Sequence, residues 1–255
     1  MNTMASASPP LGRGECDRTS AITRSLLGYG VLAGPFYLVV SVVQAVTRQG
    51  FDLAHDDWSL LANGSLGWLQ ITNLVLSGLM TIAAAVGMRR SLRGTTGGTW
   101  GPRLITGYGV GLVLAGVFVA DPMDGFPVGA PPGRPASTSW HAMLHLLAGG
   151  LGFLCLIAAC LVFARRFAGQ RRRGWAGYSV LSGTLFLVSF LGIASGSGSA
   201  AIVLGFTAGV VVAWAWLAAV SIHGYRATPK ISAGIRASHS SPDAAAALSG
   251  ERRAT

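Results

Sequence analysis

Two histidines four residues apart, His141 and His145, share one face of a helix if the apolar run that holds them is helical. Asp121 and Asp124 stand in the connection just before that run. Two imidazoles at this spacing with carboxylates at similar depth form a donor set for a divalent metal such as zinc, which takes three or four protein ligands. A second polar group, His55, Asp56, Gln70 and Asn73, falls in or near an earlier connection at the same end of the chain's layout, as do Gln44, Ser195, Ser197 and Ser199. The histidine pair lacks the intervening glutamate of a zincin helix, so the motif brings no general base. There is no phosphate-binding loop, serine nucleophile elbow or haem-attachment motif. The same residues equally suit a structural cluster in which imidazoles bond loop carbonyls, or direct handling of a ligand or proton.

The elements that must position these residues are long apolar runs. Hydrophobic residues make up 51% of the 255-residue chain and charged ones 11%, against about 25% charged in soluble domains. Six runs, at about 26–46, 66–88, 102–120, 140–163, 175–193 and 200–222, each suffice to cross about 30 Å of hydrocarbon at 1.5 Å per residue. Runs this long must be helices, because lipid offers no partner to an unpaired backbone group. The fold class expected is an all-α integral membrane protein with six transmembrane helices over 25–223. The first run is longer than a signal-peptide core and reads as a span. Polar segments 1–24 and 224–255 are expected to be disordered cytoplasmic tails.

Arginines fix the expected orientation. Of 19 Lys+Arg, 17 fall in the two tails, the second connection and the fourth, leaving Arg48 and Arg134 in the others. Asp52, Asp56, Asp57, Asp121 and Asp124 all fall with those two. The positive-inside rule then places both termini in the cytoplasm and the aspartates outside. A net charge of +10 might suggest nucleic acid, but the basic clusters flank apolar runs, as retention at a membrane face requires. No nucleic-acid partner is expected; the lipid bilayer is.

Gly28-Tyr29-Gly30-Val31, Gly107-Tyr108-Gly109-Val110 and Gly177-Tyr178-Ser179-Val180 open the first, third and fifth runs, which suggests three repeated two-helix hairpins. Each includes a small-xxx-small pair that suits close helix packing. Cys155 and Cys160, inside one run, read as packing residues. In the first connection, Asp56 or Asp57 caps a short helix through Leu61 that would lie in the headgroup region. Ser139 caps the fourth span.

Gly50-Phe51-Asp52-Leu53 with His55, Ser59-Leu60-Leu61, Gly67-Trp68-Leu69-Gln70 and Asn73 resembles one signature of the bacterial membrane family known as domain of unknown function 998. Asp121-Pro122, Gly125-Phe126-Pro127, Gly129 and Leu144-His145 resemble its second signature, and Arg165-Arg166-Phe167-Ala168 with Trp175-Ala176 and Tyr178-Ser179 extends the likeness over roughly 25–225. The resemblance implies a six-helix integral membrane protein and carries no reaction with it.

No Asp, Glu, Lys or Arg falls at the middle of a span, where a proton-driven pump needs a carboxylate. The expected function is a non-enzymatic plasma-membrane component that binds lipid or a partner, with a polar pocket opening outward. The alternatives are a metal-dependent hydrolase of lipid-like substrates, with zinc on Asp121, Asp124, His141 and His145, and a carrier or channel for a small solute.

Overall fold

Each apolar run closes its own backbone hydrogen bonds, and the computed structural model accordingly holds helices wherever a span is expected. It describes residues 13–133 and 135–229, with side chains from Arg18 onward. Arg134 and both outer tails lie outside the described residues. The elements are α1 (Arg13–Thr47), a 3-10 turn (Trp58–Ala62), α2 (Gly67–Ser91), α3 (Trp100–Val117), α4 (Trp140–Gly169), α5 (Arg173–Ala194) and α6 (Ala200–Ala227). Among the described residues no strand accompanies them. Five of the six helices are long and apolar enough to cross a membrane. The remaining one, α3, has 18 residues, among them five glycines, Pro102 and Arg103, which dilute its apolar character.

Successive helices pack side by side and α6 returns to α1, so the six close into a ring. Glycines set the tightest crossings. A Cβ on Gly78 of α2 would lie 2.6 Å from the carbonyl oxygen of Gly109 on α3. One on Gly111 would lie 2.8 Å from the Cα of Gly152 on α4. Small residues allow such backbone approach where lipid supplies no hydrophobic drive. All three expected small-xxx-small pairs face neighbouring helices: Gly30 meets Ser221, Gly34 meets Trp214, Gly107 meets Cys155, and Gly183 meets Cys160. The tyrosines of the repeated motif differ: Tyr29 is exposed, Tyr108 is buried and Tyr178 is half-buried. The outward surface of the ring carries Leu32, Val39, Leu79, Leu151, Val188 and Leu204, all exposed, as a lipid-facing belt requires.

Two local features depart from the sequence reading, and a third was already inside the expected first span. The helix of α1 begins at Arg13, inside the segment expected to be disordered. Its early turns are tied to the end of α6, since Arg24 Nη1 donates to the Thr228 carbonyl at 3.0 Å and the guanidinium lies 4.1 Å from the Tyr225 ring. The 3-10 turn does not lie on the membrane as expected. Trp58, Leu60, Leu61 and Ala62 are all buried, so four apolar side chains in five fold over the ring's end instead of facing headgroups. Finally, Pro35 sits inside α1, where it has no N–H for the Val31 carbonyl.

Candidate functional site

The site is built on the aspartate-rich end of the ring, and its frame is Arg48. This side chain donates to the carbonyls of Leu61 and, at 2.5 Å, Asn63, the orphan acceptors at the end of the 3-10 turn. Its guanidinium also lies 4.8 Å from the ring centre of Phe126 in the third connection. Phe126 is fully buried and meets Phe51 edge-on at 5.2 Å. One arginine thus joins the first and third connections into one lid-like layer.

Within that layer Asp52 Oδ2 pairs with His55 Nδ1 at 2.9 Å on the exposed surface, and Asp52 Oδ1 accepts the Ala54 N–H at 2.8 Å. The His55 hydrogen bond and the Ala54 N–H hold the Asp52 carboxyl below the usual carboxylate range. Asp56 is only 2% exposed, and its Oδ2 accepts the Asp52 N–H at 2.7 Å. Burial pushes the Asp56 carboxyl up, as do the negative charges of Asp124 and Asp52, while the Asp52 N–H pulls against them. The folded protein therefore binds this proton more tightly than the unfolded chain does. That contribution favours folding at low pH and fades as pH rises from the ordinary carboxylate range through the raised value. Asp56→Asn keeps an oxygen acceptor for the Asp52 N–H and removes the buried charge. The variant is expected to match or exceed the wild type in thermal stability at pH 7, with the difference shrinking towards pH 4. A variant less stable at pH 7 than at pH 4, relative to wild type, overturns this account.

The residues singled out for metal chemistry take separate posts. Asp121 Oδ2 accepts the Ser139 N–H at 2.7 Å, and Ser139 Oγ caps α4 by accepting from Ala142 N at 3.2 Å. Bonds to the Ser139 hydroxyl and N–H hold the Asp121 carboxyl below its ordinary range. His145 is buried, and its Nδ1 lies 2.9 Å from the Ala115 carbonyl and 2.8 Å from that of Phe118. Both partners are acceptors, so Nδ1 carries the proton and the imidazole caps the end of α3. His141 is exposed and stacks on Trp140, ring centres 3.5 Å apart. Asp124 is exposed, with a positive φ of 55° and its N–H bonded to Gly133 O at 2.9 Å. Among the described residues no three His, Cys, Asp or Glu side chains come together where they could hold a metal.

Gln70 and Asn73 also serve a different neighbour than the outer pocket. Both are buried between α1 and α2. Gln70 Oε1 accepts from Gln44 Nε2 at 2.9 Å and from Asn73 Nδ2 at 3.2 Å, and Gln70 Nε2 donates to Ser41 Oγ at 3.2 Å. Asn73 Nδ2 further reaches Ser41 Oγ at 3.0 Å and the Tyr37 carbonyl at 3.1 Å. Ser77 and Thr81 continue the polar seam down α2.

What the ring does enclose at this end is a cavity of about 520 Å³ with contributions from all six helices. Asp57, Ser59, Asp121, Thr138 and His145 line it, and its described lining includes no Lys or Arg. Aromatic rings dominate the rest. Tyr37 lies 6.0 Å from Trp58 and 5.3 Å from Trp214, and Trp214 lies 5.7 Å from Tyr108. Phe153 continues the wall to Phe190 at 5.4 Å and Phe206 at 5.7 Å. The indole N–H groups of Trp58 and Trp214 are buried and meet no hydrogen-bond acceptor. Of the eight residues proposed from the sequence for the metal site or outer pocket, Asp121 and His145 line this cavity. Its aromatic lining was missed, because an aromatic in an apolar run looks the same whether it faces lipid, core or cavity. Only Trp58, in the aspartate-rich first connection, carried a positional signal of it.

Ring and cavity together define a multi-pass, membrane-type helical protein. The chain belongs to the family described as Protein of unknown function (DUF998), whose match covers residues 31–223. No curated protein and no solved structure matches it.

Proposed function

We propose that this is a six-span plasma-membrane protein with both termini in the cytoplasm, which binds a lipid-like amphipath in the cavity at its outward, aspartate-rich end. The arginine distribution supports the orientation, and the two glycine-dense crossings of α3 support its role as the sixth span. The observation that carries the binding role is the cavity itself, to which all six helices contribute and in whose wall Tyr37, Trp58, Tyr108, Phe153 and Trp214 stand. Its volume of about 520 Å³ falls within the range of small-molecule sites, about 300–1,000 Å³. Rings supply apolar contact for a chain, and Ser59, Thr138 and His145 supply polar groups for its head. Asp57 and Asp121 are among the described lining residues, and a zwitterionic head is the guest proposed for this end of the cavity. Metal-dependent hydrolysis would require the ligand set around His141 and His145 to converge, and those side chains take separate posts.

The test uses Gly149, which lines the cavity and has open space where a Cβ would stand. Gly149→Trp fills the site without an overlap at the backbone. Lysophosphatidylcholine is titrated into the full-length protein in nanodiscs, and bound adducts are counted by native mass spectrometry. The wild type is expected to retain one tightly held molecule, and Gly149→Trp to bind it at least about tenfold more weakly, a change of about 1.4 kcal/mol. Equal retention by both proteins would mean that the lysolipid sits on the outer belt, and ends the proposal.

A further inference from the structure

The opposite end of the ring holds a second cavity, of about 740 Å³, between α1, α2, α4 and α6. Its charged and titratable lining consists of Arg90, Arg166, Arg172 and His223, with no Asp or Glu among the described lining residues. The arginines are placed there by specific local structure. The end of α4 is a Schellman turn: Arg172 N–H donates to Phe167 O and Arg171 N–H to Ala168 O, both at 2.9 Å, with Arg171 in the left-handed region at φ 58°. That turn sends Arg172 back to the ring, where its Nη1 donates to His223 Nε2 at 3.3 Å. Arg166 Nη1 is held by Thr95 Oγ1 and the Thr96 carbonyl, both at 2.7 Å. Arg90 has neither hydrogen bond nor ion pair among the described residues. The ion pair of His55 with Asp52 lies at the far end of the protein.

We propose that this cavity binds a phosphate-bearing anion, either the headgroup of an acidic lipid or a free phosphate. Three guanidinium groups line one recess, and no carboxylate balances them among the described lining residues. The planar fork of arginine matches phosphate oxygens in two parallel hydrogen bonds. Basic recesses between membrane helices suit acidic headgroups, and Met88, Phe163 and Phe167 give this one an apolar wall as well. The site is independent of the aromatic cavity and stands whether or not that cavity binds an amphipath.

The experiment places the full-length protein in phosphatidylcholine nanodiscs and titrates two probes, dioctanoyl phosphatidic acid and inorganic phosphate. Arg90→Gln with Arg172→Gln removes two charges from the cavity. Arg89→Gln with Arg93→Gln removes two from exposed positions outside its lining. The cavity pair is expected to weaken binding at least about tenfold and the outside pair less than about threefold. Displacement of the lipid by inorganic phosphate shows that the phosphate group alone is recognised. Binding of phosphatidic acid that phosphate does not displace assigns the site to a lipid. Equal weakening by the two pairs would reduce the effect to general surface charge and overturn the proposal, as would a wild type that binds neither probe. If the cavity pair fails to fold, Arg90→Gln alone carries the test, because its side chain makes no hydrogen bond that the fold uses.

Discussion

Gly111→Val is expected to cost about 3 kcal/mol of stability or to prevent assembly of the ring. A Cβ at this position would lie 2.7 Å from the Ala148 carbonyl oxygen and 2.8 Å from the Gly152 Cα, so both obstacles are backbone. Neither can rotate away, and α3 and α4 would have to separate along their contact. The consequence is large because α3, the shortest of the six helices, is held by its crossings with α2 and α4. Gly28 provides the comparison, since nothing lies within 4 Å of where its Cβ would stand. Gly28→Ala is expected to be neutral or to stabilise by up to about 1 kcal/mol through helix propensity. Reversible unfolding in mixed micelles of detergent and SDS measures both. If Gly111→Val proves as stable as Gly28→Ala, close backbone contact is not what holds α3 in place.

The second large effect is expected at Gln70, which is fully buried at the centre of the α1–α2 seam. Gln70→Leu removes the acceptor of Gln44 and Asn73 and the donor to Ser41 in one step. Interhelical hydrogen bonds in membranes average about 0.6 kcal/mol and reach about 1.7. Because Gln44 and Ser41 are then left buried with fewer partners, the sum should reach roughly 2–3 kcal/mol. A double-mutant cycle separates this from lost packing. Gln44→Leu combined with Gln70→Leu should cost less than the two single changes added together, by about 1 kcal/mol, because the orphaned amide has gone. Strict additivity would mean that the seam is a row of independent contacts.

The apolar runs located α2, α4, α5 and α6 because a span's length is set by hydrocarbon thickness, a quantity the sequence displays directly. The start of α1 was hidden, since its early turns are polar and are held by α6 through Arg24, a tertiary contact without a local trace. The Ser139 cap was legible as local chemistry, whereas the fate of Trp58–Ala62 was not. Headgroups and a ring's open end accept the same apolar side chains, and only the assembled helices decide between them. The candidate site was legible in its depth and end of the protein but not in its partners. His141 and His145 share a helix face at one turn's spacing, yet Trp140 draws one ring outwards and the α3 carbonyls hold the other inside. Gln70 and Asn73 have the composition of a pocket, but the rotation of α2 turns them to α1. Helix rotation is fixed by glycine crossings on the opposite face, which no stretch of α2 reveals by itself.

Pro35 divides α1 into two mechanical segments with different attachments. Beyond it, Tyr37, Ser41 and Gln44 belong to the seam with α2 and to the aromatic wall. Before it, Arg24 bears on Thr228, Gly30 on both Ser221 of α6 and Ala84 of α2, and Leu27 on Gly87 of α2. The missing rung at Val31 is the point where bending costs least, so a displacement of Tyr37 is absorbed there as a flexure of the outer segment. A rod without that break would tilt as a whole and carry every movement at one mouth of the ring to the other. The missing hydrogen bond at Pro35 is therefore the place in α1 where such a movement is expected to be taken up.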